Sequence, residues 1–346
     1  MKPAILTALF AGGALICVLW TSAAQAAEAA PSYQVTKSVP IGAPDRWDYV
    51  VFDPASHRVY VAHGDSIAVV DGHDGQVIGK VEGIAGGSHG IGISTQTGKG
   101  YTDDGKGGLA VAFDLKTLKV GARIPAAADA DAIAFDRASG HVFIIEGDPQ
   151  TISVIDPKSD KVVATIQAGG KLEYAVADDR GHLFVNGESK REIVSVNTRT
   201  NAVDGHWAIP DCASPHGLAI DKVRHRLFSS CINGQLMVIN TDTGKLVATA
   251  PIGKGSDAVA YDPKRRRVFS SNGLDGTLTM IQQNDADTYV SAATIPTAVS
   301  GRTMSIDPET GRLYIAALEN DPPAAAGGRP KPRGGTLRLM FLDPSS

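Results

Sequence analysis

The sequence predicts an all-β protein, a seven-bladed β-propeller whose last blade is closed by the N-terminal strand. Turn residues at Asp53, Ser94, Asp136, Asp178, Asp221, Asp262 and Asp307 recur at spacings of 41, 42, 42, 43, 41 and 45 residues. Each repeat runs the same way: a short apolar stretch ending at the anchor, an aromatic-centred stretch, then an apolar stretch closed by Asp or Asn. Short strands punctuated by Gly, Asp and Asn at a period of about forty residues are what a propeller blade requires, because one small sheet buries its faces only against its neighbours. The last repeat ends before a fourth strand, and a strand without a repeat of its own stands near the N-terminus. Pairing the two closes the ring and removes a sticky edge.

The elements follow in order. Lys2, an apolar stretch from Ala4 to Trp20 and the small-residue ending Ala24-Gln25-Ala26 have the layout of a secretory leader. An uncleaved anchor helix is the rival, but a span prefers about 20 apolar residues, and Gly12 and Gly13 interrupt this stretch. Residues 1–26 are therefore expected as a signal peptide and residues 27–346 as a single propeller domain, periplasmic or secreted. No later apolar run is long enough to cross a bilayer. Loss of Lys2 moves the formal charge from −4 to about −5. That acidic balance lacks the basic excess on which non-specific nucleic-acid binding depends.

Tyr33 to Pro40 reads as the closing strand. The third repeat shows the blade plan. Ala132 to Phe135 is a small, apolar inner strand, and Asp136 to Gly140 is a turn. His141 to Ile145 is rich in the β-branched and aromatic residues that fit a pleated surface. Thr151 to Asp156 forms the third strand. Lys161 to Ile166 alternates toward water as the outer fourth. In the seventh repeat Met304 to Asp307, Leu313 to Ala316 and Thr336 to Leu342 supply three strands. Between the last two lies a Pro/Gly/Ala-rich segment, 319–335, whose composition supports no packed core and predicts a flexible loop. It carries Arg329, Lys331 and Arg333, so it is either a basic lid over the ring's face or a spacer.

Val154-Ile155-Asp156 followed by Lys161-Val162-Val163-Ala164-Thr165-Ile166 resembles the YVTN-type repeat of bacterial secreted propellers. The run from Val238 to Thr249 resembles it as closely, and Tyr60-Val61-Ala62 is similar to the motif that names that family. The resemblance covers nearly all of the chain after residue 26. It implies the propeller fold and an exported location, and it implies no activity, because fold does not set function.

Five residues before each anchor stand Asp48, His89, Asp131, Glu173, His216, Asp257 and Arg302. All seven are ionisable, and the inner strand begins there, at the mouth of the central channel. Solvated polarity at a wet mouth is the plain reading. Four carboxylates, two imidazoles and a guanidinium around one funnel would equally suit ligand binding. Crowded carboxylates also raise one another's pKa, the usual origin of a general acid or base. A second set closes the second strand: His63, Asp104, Glu146, Gly187, Cys231, Asn272 and Ala317. His63, Asp104 and Glu146, with His89 and Asp131, are the expected ligands should a divalent metal be the cofactor. Trp47 could wall a ligand at the mouth or pack between blades.

Cys212 and Cys231 remain once Cys17 leaves with the leader. The repeat puts them in the loop entering the fifth blade and at the end of that blade's second strand, so a disulfide is expected, with two separate thiols as the alternative. The chain has no Gly-x-Ser-x-Gly elbow, phosphate-binding Gly loop, Cys-x-x-Cys-His or His-Glu-x-x-His. The functional expectation is a monomeric exported binding protein that holds a small ligand, a metal ion or a protein partner at the funnel. The alternative is a lactonase-like hydrolase or lyase that uses the ring, with or without a metal.

Overall fold

Blade by blade, the chain lays down four antiparallel strands from the axis outward. The computed structural model describes residue 1, residues 32–321 and residues 331–345. The chain divides into Met1–Ala30 and Pro31–Ser346, and the propeller is the second of these units. Apart from Met1, the expected leader lies outside the described residues. Six sheets are built from consecutive strands. In the third blade these are Ala130–Asp136, His141–Glu146, Thr151–Asp156 and Lys161–Gln167. The seventh joins Thr303–Ile306, Leu313–Ala317 and Arg338–Pro344 to the N-terminal strand Tyr33–Pro40. Tyr33 pairs with Pro344 and Pro40 with Arg338, so the expected closure is what holds the ring shut. No described helix is long and apolar enough to cross a membrane.

The anchors act locally. Asp53 accepts from the Ala55 N–H at 3.0 Å and the Ser56 hydroxyl at 2.6 Å. Asp178 accepts from the N–H groups of Arg180, Gly181 and His182. Such Asx turns satisfy backbone donors that no strand partner reaches. The repeat thus marks turn chemistry on the face away from the ring. Asp or Asn closing the third strand does the same for the next turn: Asp114 accepts from Lys116 and Thr117 N–H groups.

One aromatic per blade, Tyr60, Tyr101, Phe143, Phe184, Phe228, Phe269 and Tyr314, is wholly or almost wholly buried in the second strand. Each wedges between its own sheet and the next, as Phe143 does among Ala132, Val154 and Leu183. Outer strands alternate between exposed and half-buried positions, as in Ala202–Ala208. The Cys212–Cys231 disulfide is present, with sulfurs 2.01 Å apart.

The 319–335 segment departs from the expected loop at both ends. Asn320–Asp321 pairs with Lys331–Pro332 as a small hairpin, because Arg333 reaches back to Asp321 at 2.7 Å and Glu319 at 3.1 Å. Arg333 is therefore neutralised within its own hairpin. Residues 322–330, including Arg329, lie outside the described residues.

Candidate functional site

Breaks in the inner-strand register create the site. Pairing of the first and second strands slips between Ala130 and Ala132, Leu172 and Ala175, Pro215 and Leu218, and Ser256 and Ala258. The residues left unpaired are Asp131, Glu173, His216 and Asp257, with Tyr174 and Gly217 beside two of them. A bulge re-aims its side chain out of the sheet's alternation, and here it turns the ionisable groups toward the funnel. In the other three blades Asp48, His89 and Arg302 stand just before the strand. All seven ring residues are half-buried. The position after each is small in most blades because neighbouring inner strands nearly touch: a Cβ on Gly217 would lie 2.7 Å from the Ala258 backbone.

The ring is connected. His216 Nδ1 is 3.7 Å from Glu173 Oε1 and 3.4 Å from Asp257 Oδ1, and Arg302 Nε is 3.1 Å from Asp257 Oδ2. Four successive blades thus form one chain of charge. Arg302 lies over the Trp47 ring at 5.5 Å and donates to the Trp47 carbonyl at 3.3 Å. Tyr49, in the first blade, donates its hydroxyl to Glu173 of the fourth at 3.1 Å, which carries its ring across the axis. Its centroid is 4.5 Å from that of Tyr174, so two tyrosines floor the funnel. Beyond them Val51, Ile91, Ile133 and Val176, together with the charged Asp53, Arg137, Asp179 and Lys222, line a cavity of about 390 Å³.

This setting moves the carboxylates. Burial pushes Asp48 up to about 6, opposed by the Arg302 and His89 charges. Burial and the neighbouring Asp129 and Asp48 push Asp131 up to about 7. Burial and Asp131 hold Glu173 well above the ordinary carboxyl range. Water is lost without a cation placed directly on Asp48 or Asp131, so the neutral acid is favoured.

His89 is oriented from beneath. Its Nδ1 donates to Asp103 Oδ2 at 2.7 Å, and Asp103 also accepts the His89 and Gly90 N–H groups at 2.8 and 3.0 Å. The Asp103 side chain is 0% exposed. Arg46 donates to His89 Nε2 at 2.7 Å. The Asp103 hydrogen bond, against the opposing effect of burial, raises the His89 pKa. The buried carboxylate fixes Nδ1 as the donor, and Nε2, which accepts from Arg46, can take a proton only when Arg46 moves away.

The five expected metal ligands are not brought together. His89 and Asp131 reach the hub, but the second-strand ends are buried beneath the face. His63 Nε2 donates to the Pro44 carbonyl at 2.7 Å, Asp104 sits 3.8 Å from Arg123, and Glu146 accepts from the Ala127 N–H and Ser153 hydroxyl. Each ties down its own loop. Among the described residues no three His, Cys, Asp or Glu side chains are grouped to hold a metal ion.

Tyr49, Tyr174, Asp103, Arg46 and Glu188, which lies 3.9 Å from His216 Nε2, are site residues that a fixed offset from the anchors does not reveal. A signal for two of them exists: the position after the ring residue is Tyr in blades one and four and Gly, Ala or Thr in the rest.

No protein-family model matches the chain. It is 25% identical over 226 residues to the YncE proteins of Salmonella typhi and Salmonella typhimurium, a match covering 63% of this chain and 61% of each relative. The chain thus matches less than two thirds of the length of these relatives. Among solved structures, the RRP9 WD40 repeats align over 90% of this chain and 100% of theirs, with a TM-score of 0.76 and 12% identity. Kuenenia stuttgartiensis hydrazine synthase aligns over 78% of this chain and 92% of the other, with a TM-score of 0.70 and 13% identity. These likenesses carry the propeller fold. The chain is a propeller protein homologous to YncE.

Proposed function

We propose that residues 27–346, exported after removal of the 1–26 leader, form a binding protein that holds a small organic cation at the ring of the funnel. One observation carries this reading: Asp48, Asp131 and Glu173 converge at the hub as desolvated carboxylates with pKa values pushed above the ordinary carboxyl range. An ammonium group seated among them would replace the lost water and restore the charged forms. The Cys212–Cys231 disulfide suits an oxidising compartment such as the periplasm.

Calorimetry with a panel of primary and quaternary amines tests it. Binding at pH 6.5 should release protons, seen as heats that vary with the buffer, because the bound cation lowers the Asp131 pKa. Asp131→Asn should weaken binding by about tenfold. A panel without a binder, or binding indifferent to Asp131→Asn, would defeat the reading.

A second reading, the lactonase-like hydrolase or lyase, is favoured by the His89–Asp103 pair, which could take a proton while Asp131, at about 7, gives one. Turnover of a lactone panel that disappears in both His89→Ala and Asp131→Asn would establish it in place of the binder. A divalent ion in this reading would have to use His89 and Asp131 without His63, Asp104 and Glu146. Metal analysis of the purified protein addresses that directly.

A further inference from the structure

Beside the ring, between the sixth blade and the closing seventh, lies a cavity of about 560 Å³ that the cation reading does not use. Its walls are of four kinds. Trp47, Leu274 and Val299 supply an apolar body, Lys254 and Arg302 supply positive charge, Asp257 beside Arg302 supplies one negative charge, and Asn320 and Pro332 border it from the hairpin. Glycine makes the space: a Cβ on Gly273 would lie 2.7 Å from Arg302 Cβ, and one on Gly255 would lie 2.5 Å from Leu274 Cγ.

Several groups in this wall have bonding capacity left over. The buried Trp47 indole N–H has no acceptor among the described residues. Arg302 Nε, 3.1 Å from Asp257 Oδ2, is not aligned with it, so the pair is an electrostatic contact and this N–H also lacks an acceptor. Lys254 forms no salt bridge among the described residues. Its backbone N–H is held by Asp275 Oδ2 at 2.8 Å, which fixes where the side chain starts. Leu274 is 65% exposed, an apolar surface that water covers poorly. Buried donors without acceptors are costly, and a ligand oxygen would satisfy them.

We infer that this cavity binds a small monocarboxylate with an apolar body. The carboxylate sits between Arg302 and Lys254, where a guanidinium can offer two parallel N–H donors to two oxygens. The aliphatic or aromatic body lies along Trp47, Leu274 and Val299. The volume is within the ordinary range for such sites, about 300–1,000 Å³. This site shares Asp257 and Arg302 with the ring but does not require that the ring hold a cation.

Calorimetry on the full protein with 3-phenylpropanoate, the matching amide 3-phenylpropanamide and the amine 3-phenylpropylamine tests the inference. The carboxylate should bind one to one, the amide about tenfold more weakly or worse. Lys254→Gln should weaken the carboxylate by about tenfold and leave the amide unchanged. Leu274→Glu, an exposed position whose substitution leaves the fold intact, should abolish carboxylate binding by placing a like charge at the mouth. Asp131→Asn should leave carboxylate binding within about twofold, so failure here is separable from failure of the cation reading. Equal affinity for carboxylate and amide, no binding of the carboxylate, or binding that survives both Lys254→Gln and Leu274→Glu would overturn it.

Discussion

Asp131 has a charge that the fold does not neutralise, and its consequence has a definite sign. Its folded pKa, about 7, lies above its ordinary 3.8. The native state therefore keeps this proton after the unfolded chain has lost it, and stability declines as pH rises from about 4 to about 7. Asp48, at about 6, adds to the same slope, and His89, raised by Asp103, adds a loss as pH climbs further. Asp131→Asn should leave urea stability at pH 4 nearly unchanged and increase it at pH 8 by on the order of 1–2 kcal/mol, after discounting for partial solvation. A variant less stable than the parent at pH 8 would show that Asp131 is held by partners. At this scale the ring was legible in the sequence because it keeps a fixed offset from turn anchors whose own role is backbone geometry. Asp103 was not, since a buried carboxylate under one His has no counterpart in the other blades: the equivalent positions are Ala62, Ile145, Asn186, Ser230, Ser271 and Ala316.

At the scale of elements, strand cores were readable and strand ends were not. The third blade's inner strand extends to Ala130–Asp136, beyond the apolar residues that announce it, because the bulge at Asp131 lets pairing continue past a polar residue. The second-strand termini His63, Asp104 and Glu146, expected as metal ligands, are buried fasteners, because His63 and Glu146 hydrogen-bond loops folded over them. One fastener is covalent. Cys212 precedes, and Cys231 follows, the strand Pro215–Asp221 that begins with the His216 bulge. Replacing both cysteines by serine should lower unfolding stability by about 3 kcal/mol, the loop-closure value for a crosslink of this span. It should also loosen His216 from Glu173 and Asp257, seen as faster amide exchange at His216 and Gly217. Unchanged stability and exchange would mean that the blade holds its ring residue without the bridge.

For the whole molecule, closure is the feature on which everything else depends. The Tyr33–Pro40 strand supplies the outer edge of a blade whose other three strands come from the opposite end of the chain. Deleting residues 32–40 should expose the Arg338–Pro344 edge, abolish a single cooperative unfolding transition and promote association. A truncated chain that still melts in one transition as a monomer would contradict this. Closure was legible because seven repeats left one strand over near the N-terminus and the last repeat one strand short. What stood opposite what across the axis was not, since no local pattern links Tyr49 to Glu173, which are 124 residues apart.

The ring brings desolvated carboxylates from separate blades to one hub. Carbon-13 NMR titration of the aspartate carboxyl groups measures this most directly, with Asp48→Asn and Asp131→Asn for assignment. Two aspartates should titrate with midpoints near 6 and 7, both moving down when an amine binds. Midpoints for both near 4, untouched by any amine, would contradict it.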